Sequence, residues 1–180
     1  MGESFKSVKQ AGFTLIELLV VLVLLGLISS VAVLSVGGNN QARELENEVR
    51  RMHALLRLSA EEAVLQNQEY GFYIDNEGYD FLLYDDAADS WSQLQGEVLR
   101  QRQLPEWLTV ELTRDNEAKM LPVKDDSEEK KPLLLFLSSG ESTPFKLRFF
   151  LDNQENQAFF IESDGFSDIA LRTPNEPAED

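Results

Sequence analysis

Cysteine is absent from the 180-residue sequence, which excludes a disulfide framework, a thiolate metal site and a thiol nucleophile without fixing the redox compartment. Histidine occurs once, as His53. With no second imidazole and no thiol to join it, His53 reads as a surface helix residue and not as a metal ligand. Cations are scarce: 16 Lys and Arg face 32 Asp and Glu, a net charge of −16 at pH 7. Phosphate backbones are held by clustered Lys and Arg, so nucleic acid is not an expected partner. No nucleophile–base pair and no cofactor fingerprint is recognisable, so neither catalysis nor a cofactor is expected. The acidic groups Asp75/Glu77/Asp80, Asp85/Asp86/Asp89 and Asp164/Asp168 lack the D-x-[DN]-x-[DN]-G spacing and distal Glu of a calcium loop. They read as solvated acidic surface, with no metal site.

Charge is also nearly absent from one long stretch. From Phe13 to Val36 the only ionisable side chain is Glu17. As a helix this run is about 36 Å long, enough to cross a hydrocarbon core of about 30 Å. It predicts a transmembrane segment over residues 13–38, too long for the 7–15-residue apolar core of an ordinary cleaved signal. A carboxylate there costs about 2.5–3.5 kcal/mol on insertion scales, so it either sits at the interface near the positive end of the helix dipole or is paired for a purpose. Residues 1–12 carry Lys6, Lys9 and Glu3, a net of +1, and the remainder carries −17. Basic flanks stay on the cytoplasmic side, so the acidic body should lie across the membrane.

Beyond the span the pattern becomes amphipathic. Leu45, Val49, Met52, Leu56, Ala60 and Ala63 recur at the spacing of one helical face, with charged residues on the others. A helix over 41–68 is predicted, joined to the span through Gly37-Gly38-Asn39-Asn40, a kink or hinge. Aromatic-rich runs at Tyr70–Ile74 and Tyr79–Tyr84 flank Asp75-Asn76-Glu77-Gly78 and predict a hairpin. Further strands are predicted at Val98–Gln103, Leu108–Thr113, Leu133–Leu137, Phe145–Leu151, Ala158–Glu162 and Phe166–Leu171. Between Arg114 and Lys131, 11 of 18 residues are charged and no period survives, which predicts a mobile surface loop. The tail from Thr173 to Asp180 should be loose. The fold class is α+β: a long N-terminal helix packed on an antiparallel β-rich head over 69–172, within a soluble part covering 39–180.

The residues "GFTLIELLVVLVLLGLI", from Gly12 to Ile28, resemble the processing motif of the type IV pilin family: a short basic leader ending in Gly, then Phe, then Glu as the fifth residue of the product. The resemblance implies a leader at 1–12 and cleavage between Gly12 and Phe13 by a prepilin peptidase, which also methylates the new amine of Phe13. It further implies that Glu17 meets the amino-terminal cation of a neighbouring subunit, so that each charge makes the other tolerable in lipid and the pair sets subunit register. Two later segments, "LLLFLSSGESTPFKLRFF" from Leu133 and "IESDGFSDIAL" from Ile161, are similar to the late hairpin and final strands of the GspH/FimT group, the H-type minor pseudopilins of type II secretion. Gly140, Thr143 and Pro144 in the first of these are also ordinary turn residues. The resemblance implies a pilin-like fold, a single-pass inner-membrane protein with a periplasmic head, and a place near the tip of the pseudopilus that helps drive protein export. Implied partners are the I-, J- and K-type minor pseudopilins and the major pseudopilin. Glu17 separates the chain from the K-type subunit, whose pattern lacks this Glu. A FimT-like minor pilin for pilus biogenesis or DNA uptake is the alternative, disfavoured by the acidic head.

Overall fold

The computed structural model describes residues 15–114, 117–124, 130–152, 154–174 and 176, and for residues 27–39 the backbone alone. The leader, Gly12 and Phe13 lie outside the described residues. The chain divides into two units, Met1–Gln41 and Ala42–Asp180. Helix α1 spans Leu15–Gln66. Its helical backbone continues through Gly37-Gly38-Asn39-Asn40, where the sequence pattern places a join. Each glycine there costs about 1 kcal/mol relative to alanine, too little to end a helix of this length. Exposed ion pairs line its later turns, Glu46 with Arg50 at 2.8 Å and Arg57 with Glu61 at 3.6 Å. Each adds about 0.3–0.5 kcal/mol.

The helix stops at Asn67, which takes the left-handed conformation at φ 52°. Its N–H donates to the Val64 carbonyl and that of Gln68 to the Ala63 carbonyl, at 3.4 and 3.1 Å. This is a Schellman cap with asparagine in the place glycine usually takes, and it ends α1 two residues before the predicted limit.

The strands form two antiparallel sheets. The first contains β1 (Tyr70–Ile74), β2 (Gly78–Asp85), β3 (Ser90–Gln93) and β7 (Leu134–Phe136) in the order β3-β2-β1-β7, with β4 (Arg102–Gln103) also pairing with β2. The second contains β5 (Leu108–Arg114), β6 (Glu117–Lys119), β8 (Phe145–Leu151), β9 (Phe159–Ser163) and β10 (Ala170–Arg172) in the order β10-β9-β8-β5-β6. The helix stripe Leu45, Val49, Met52, Leu56 and Ala63 belongs to one core cluster with Phe72, Phe81 and Phe136 of the first sheet and Leu112, Leu147 and Phe149 of the second. Leu55 and Ser59 are buried with that stripe and Ala60 is half-buried. Phe72 packs on Phe81 and Tyr79 at centroid distances of 5.4 and 5.8 Å, contacts worth about 1 kcal/mol each beyond area burial.

The β1–β2 hairpin follows its predicted outline. Asp75 closes it by accepting the N–H groups of Glu77 and Gly78 at 2.8 and 2.7 Å. Three expectations are corrected. Only Arg102–Gln103 of the Val98–Gln103 run is strand, and the final strand is Ala170–Arg172, because Asp164 folds Phe166 and Ser167 into a turn. The third correction concerns 114–131, where Glu117–Lys119 pair with β5 in place of a structureless loop. Its far end is anchored as well. Lys130 reaches Asp80, buried on β2, at 3.0 Å, and Pro132 lies so close to Gly71 that a Cβ there would come within 2.6 Å of the ring.

Candidate assembly surfaces

Glu17 sits in the first described turn of α1. Around it the large apolar side chains from Leu15 to Leu25 are 49–84% exposed. Burying each of them stabilises by about 1.5–3 kcal/mol, so this surface calls for lipid or other chains. Among the described residues no helix is long and apolar enough to cross a membrane. The apolar run, however, starts at Phe13 and continues through residues whose backbone alone is described. The predicted span and the Gly12–Phe13 junction therefore fall partly or wholly outside the described residues.

On the head, the two late motifs meet. Ser142 donates its N–H to the Gly165 carbonyl at 2.8 Å, and the Ser142 and Ser163 hydroxyls lie 3.2 Å apart. Gly165 has φ 95°, and a Cβ on it would come within 2.8 Å of the Ser142 carbonyl oxygen, so only glycine fits. Gly140, at φ 92°, supplies the other left-handed turn position, as its sequence context predicts. Asp164 accepts the N–H groups of Phe166 and Ser167 at 2.9 and 2.7 Å, and these bonds hold its carboxyl below the usual aspartate range. The turn so formed leaves Phe166 80% exposed.

His53 is not a free surface residue. Its Nε2 donates to the Ile169 carbonyl at 2.8 Å, tying the middle of α1 to the segment before β10. Between the last turns of α1 and this segment lies a groove of about 420 Å³ lined by Arg57, Glu61, Val64, Leu65, Phe166 and Asp168, among others. Sequence reasoning overlooked it. The available signal was Val64-Leu65, two apolar residues that fall off the buried stripe.

The acidic clusters do not act as units. Asp75 closes a hairpin, Asp85 accepts the Ala87 and Ala88 N–H groups, and Asp80 accepts from Gln93 and Lys130. Among the described residues no three His, Asp or Glu side chains gather as a metal site. Glu48, buried on α1, accepts from the Tyr79 hydroxyl at 3.3 Å and pairs with Arg51. Burial, reinforced by the Glu48 charge, pushes the Tyr79 phenol up to about 12.

A long helix whose second part packs on antiparallel sheets, preceded by an exposed apolar stretch with one early glutamate, defines a pilin-like subunit. Residues 8–33 match the family described as the prokaryotic N-terminal methylation motif. Residues 48–165 match the family described as type II transport protein GspH. The chain is 40% identical over 160 residues to type II secretion system protein H of Pseudomonas aeruginosa, covering 86% of this chain and 91% of that protein. It is 31% identical to protein H of Aeromonas hydrophila, covering 95% and 98%. Among solved structures it is similar to the minor pseudopilin EpsH of Vibrio cholerae, with a TM-score of 0.63 at 26% identity, covering 74% of this chain and 98% of that one. The chain belongs to the GspH family of type II secretion minor pseudopilins. This is a structural family and not a known family of enzymes, and its motif and kinship are those of an inner-membrane-anchored periplasmic protein.

Proposed function

We propose that the chain is cut between Gly12 and Phe13 by a prepilin peptidase and methylated at Phe13. Residues 13–38 then hold it in the inner membrane by a single pass, with the head in the periplasm. It assembles near the pseudopilus tip with the I-, J- and K-type minor pseudopilins and the major pseudopilin, helping to drive protein export across the outer membrane. Glu17 carries this reading. It is the one charge in the exposed apolar stretch Leu15–Leu25, and it stands near the amino-terminal end of the described helix, where an amino-terminal cation of a neighbour can meet it. Such a pair costs free energy in a lone subunit and recovers it at the correct axial stagger, which makes the carboxylate a register key.

The DNA-uptake alternative has little to support it. The outer face of the second sheet does hold Lys146, Arg148 and Arg172, stacked on Phe160 and Phe150. Each is engaged by a carboxylate, Lys146 and Arg172 by Glu162 and Arg148 by Glu111. Three cations against two carboxylates leave one net positive charge on this face, too little for the clustered Lys and Arg that phosphates require. Replacing Glu17 by Ala tests the proposal. Insertion into the membrane should be equal or better, while pseudopilus incorporation and secretion fall at least tenfold. Wild-type secretion by Glu17→Ala would remove the register role.

A further inference from the structure

The groove at the end of α1 is bordered by exposed apolar side chains on a fixed frame. Among the described residues, six large apolar side chains of the head are exposed, and three of them, Val64, Leu65 and Phe166, border this one groove at 49%, 76% and 80% exposure. Scattered apolar residues need no explanation, but apolar side chains gathered about a concavity mark an interaction surface. Its walls are fixed: the Asn67 cap sets where α1 ends, the Asp164 turn presents Phe166, and the His53 bond holds the segment between that turn and β10. The two sequence motifs that resemble the H-type pseudopilins, joined by the Ser142–Gly165 bond, line its far wall with Gly140, Ser142 and Phe166.

Charge decides what fits. Glu61 on the rim is neutralised by Arg57 at 3.6 Å. Asp168 on the opposite rim is exposed, and among the described residues no cation lies within ion-pair distance of its carboxylate. The groove therefore offers an apolar floor beside one uncompensated negative charge, in a chain of net charge −16. An anionic lipid surface or a second copy of this acidic chain would be repelled. We propose that the groove receives a segment of a sibling pseudopilin presenting a large apolar side chain beside a Lys or Arg, the apolar group between Leu65 and Phe166 and the cation on Asp168. This rests on the reading of the chain as an assembling minor pseudopilin and names the surface it uses.

The absence of cysteine makes the test clean. Full-length chain carrying Leu65→Cys or Phe166→Cys is produced in a host with its secretion system, labelled at the single thiol with a short maleimide–diazirine linker, irradiated so that the carbene inserts into whatever lies beside it, and the adducts are sequenced by mass spectrometry. Val98→Cys, exposed and apolar but outside the groove, is the comparison. The expected result is a sibling-subunit adduct from positions 65 and 166, at a peptide with a Lys or Arg adjacent to a large apolar residue. Its yield should fall at least tenfold on adding Asp168→Lys and less on adding Asp168→Asn. Adducts with lipid, with secreted cargo or with a second copy of this chain would overturn the proposal, as would insensitivity to Asp168→Lys. A sibling captured from Val98→Cys and not from the groove overturns the site while leaving the assembly reading intact. Capture of no pilin-type subunit from any position, with residues 1–12 retained, overturns both.

Discussion

Helix α1 carries two apolar surfaces with opposite fates. Between Leu15 and Leu25 the large side chains are at least 49% exposed, whereas Leu45, Val49, Met52 and Leu56 are 3% exposed or less. The first run is apolar on every side but for Glu17, and among the described residues nothing in its own chain buries it. The second is apolar on one face and meets two sheets encoded downstream. Period separates them: a stripe can be completed by the same chain, while an all-round apolar helix needs a medium or a bundle. One element thus holds an internal scaffold and an external contact.

The comparison is broken most forcefully in the core. Phe72→Ala should cost the head about 3–5 kcal/mol, read from denaturant unfolding of the purified full chain. Leu22→Ala in the exposed stretch should shift the same transition by no more than about 0.5 kcal/mol. Comparable losses would mean that the two parts of α1 are not energetically distinct. Alkaline pH probes the same core through Tyr79. Its phenol ionises near 10 when unfolded but only at about 12 in the fold, so stability is complete below pH 10 and is lost as pH rises toward 12. The loss should be on the order of 2 kcal/mol and should be largely abolished by Tyr79→Phe. A similar loss is expected from Lys130→Met, about 2 kcal/mol, because it strands the buried Asp80 carboxylate. Its exposed neighbour Lys131→Met should be near neutral. The smallest effect lies at the helix end, where Asn67→Ala forces a Cβ-bearing residue without a local hydrogen-bonding group to hold φ 52° and should cost about 1 kcal/mol. Asn67→Gly should be neutral or slightly stabilising, as thermal melts would show.

What was legible in the sequence follows from the range of the interactions. The stripe from Leu45 to Ala63, the β1–β2 hairpin and the Gly140 turn are local patterns, and all are found. β3 escaped because Ser90-Trp91-Ser92-Gln93 does not alternate and becomes a strand only by pairing with β2. β6 and the Lys130 anchor escaped for a related reason. A charged segment reads as solvated until its partner is known, and Asp80 lies 50 residues away from Lys130. His53 and Ile169, 116 residues apart, could not be joined by any spacing argument. The amino-terminal motif was the reverse case, carried by contiguous residues and so legible without any partner at a distance. The groove lay between these extremes, with its apolar residues visible and their convergence not.

The central claim is that the exposed apolar surface becomes a processed, assembling amino terminus, and intact-mass analysis of the chain from a host with a prepilin peptidase tests it most directly. The account predicts loss of residues 1–12 and one methyl group on Phe13. A mass that retains Lys6 and Lys9 would contradict it.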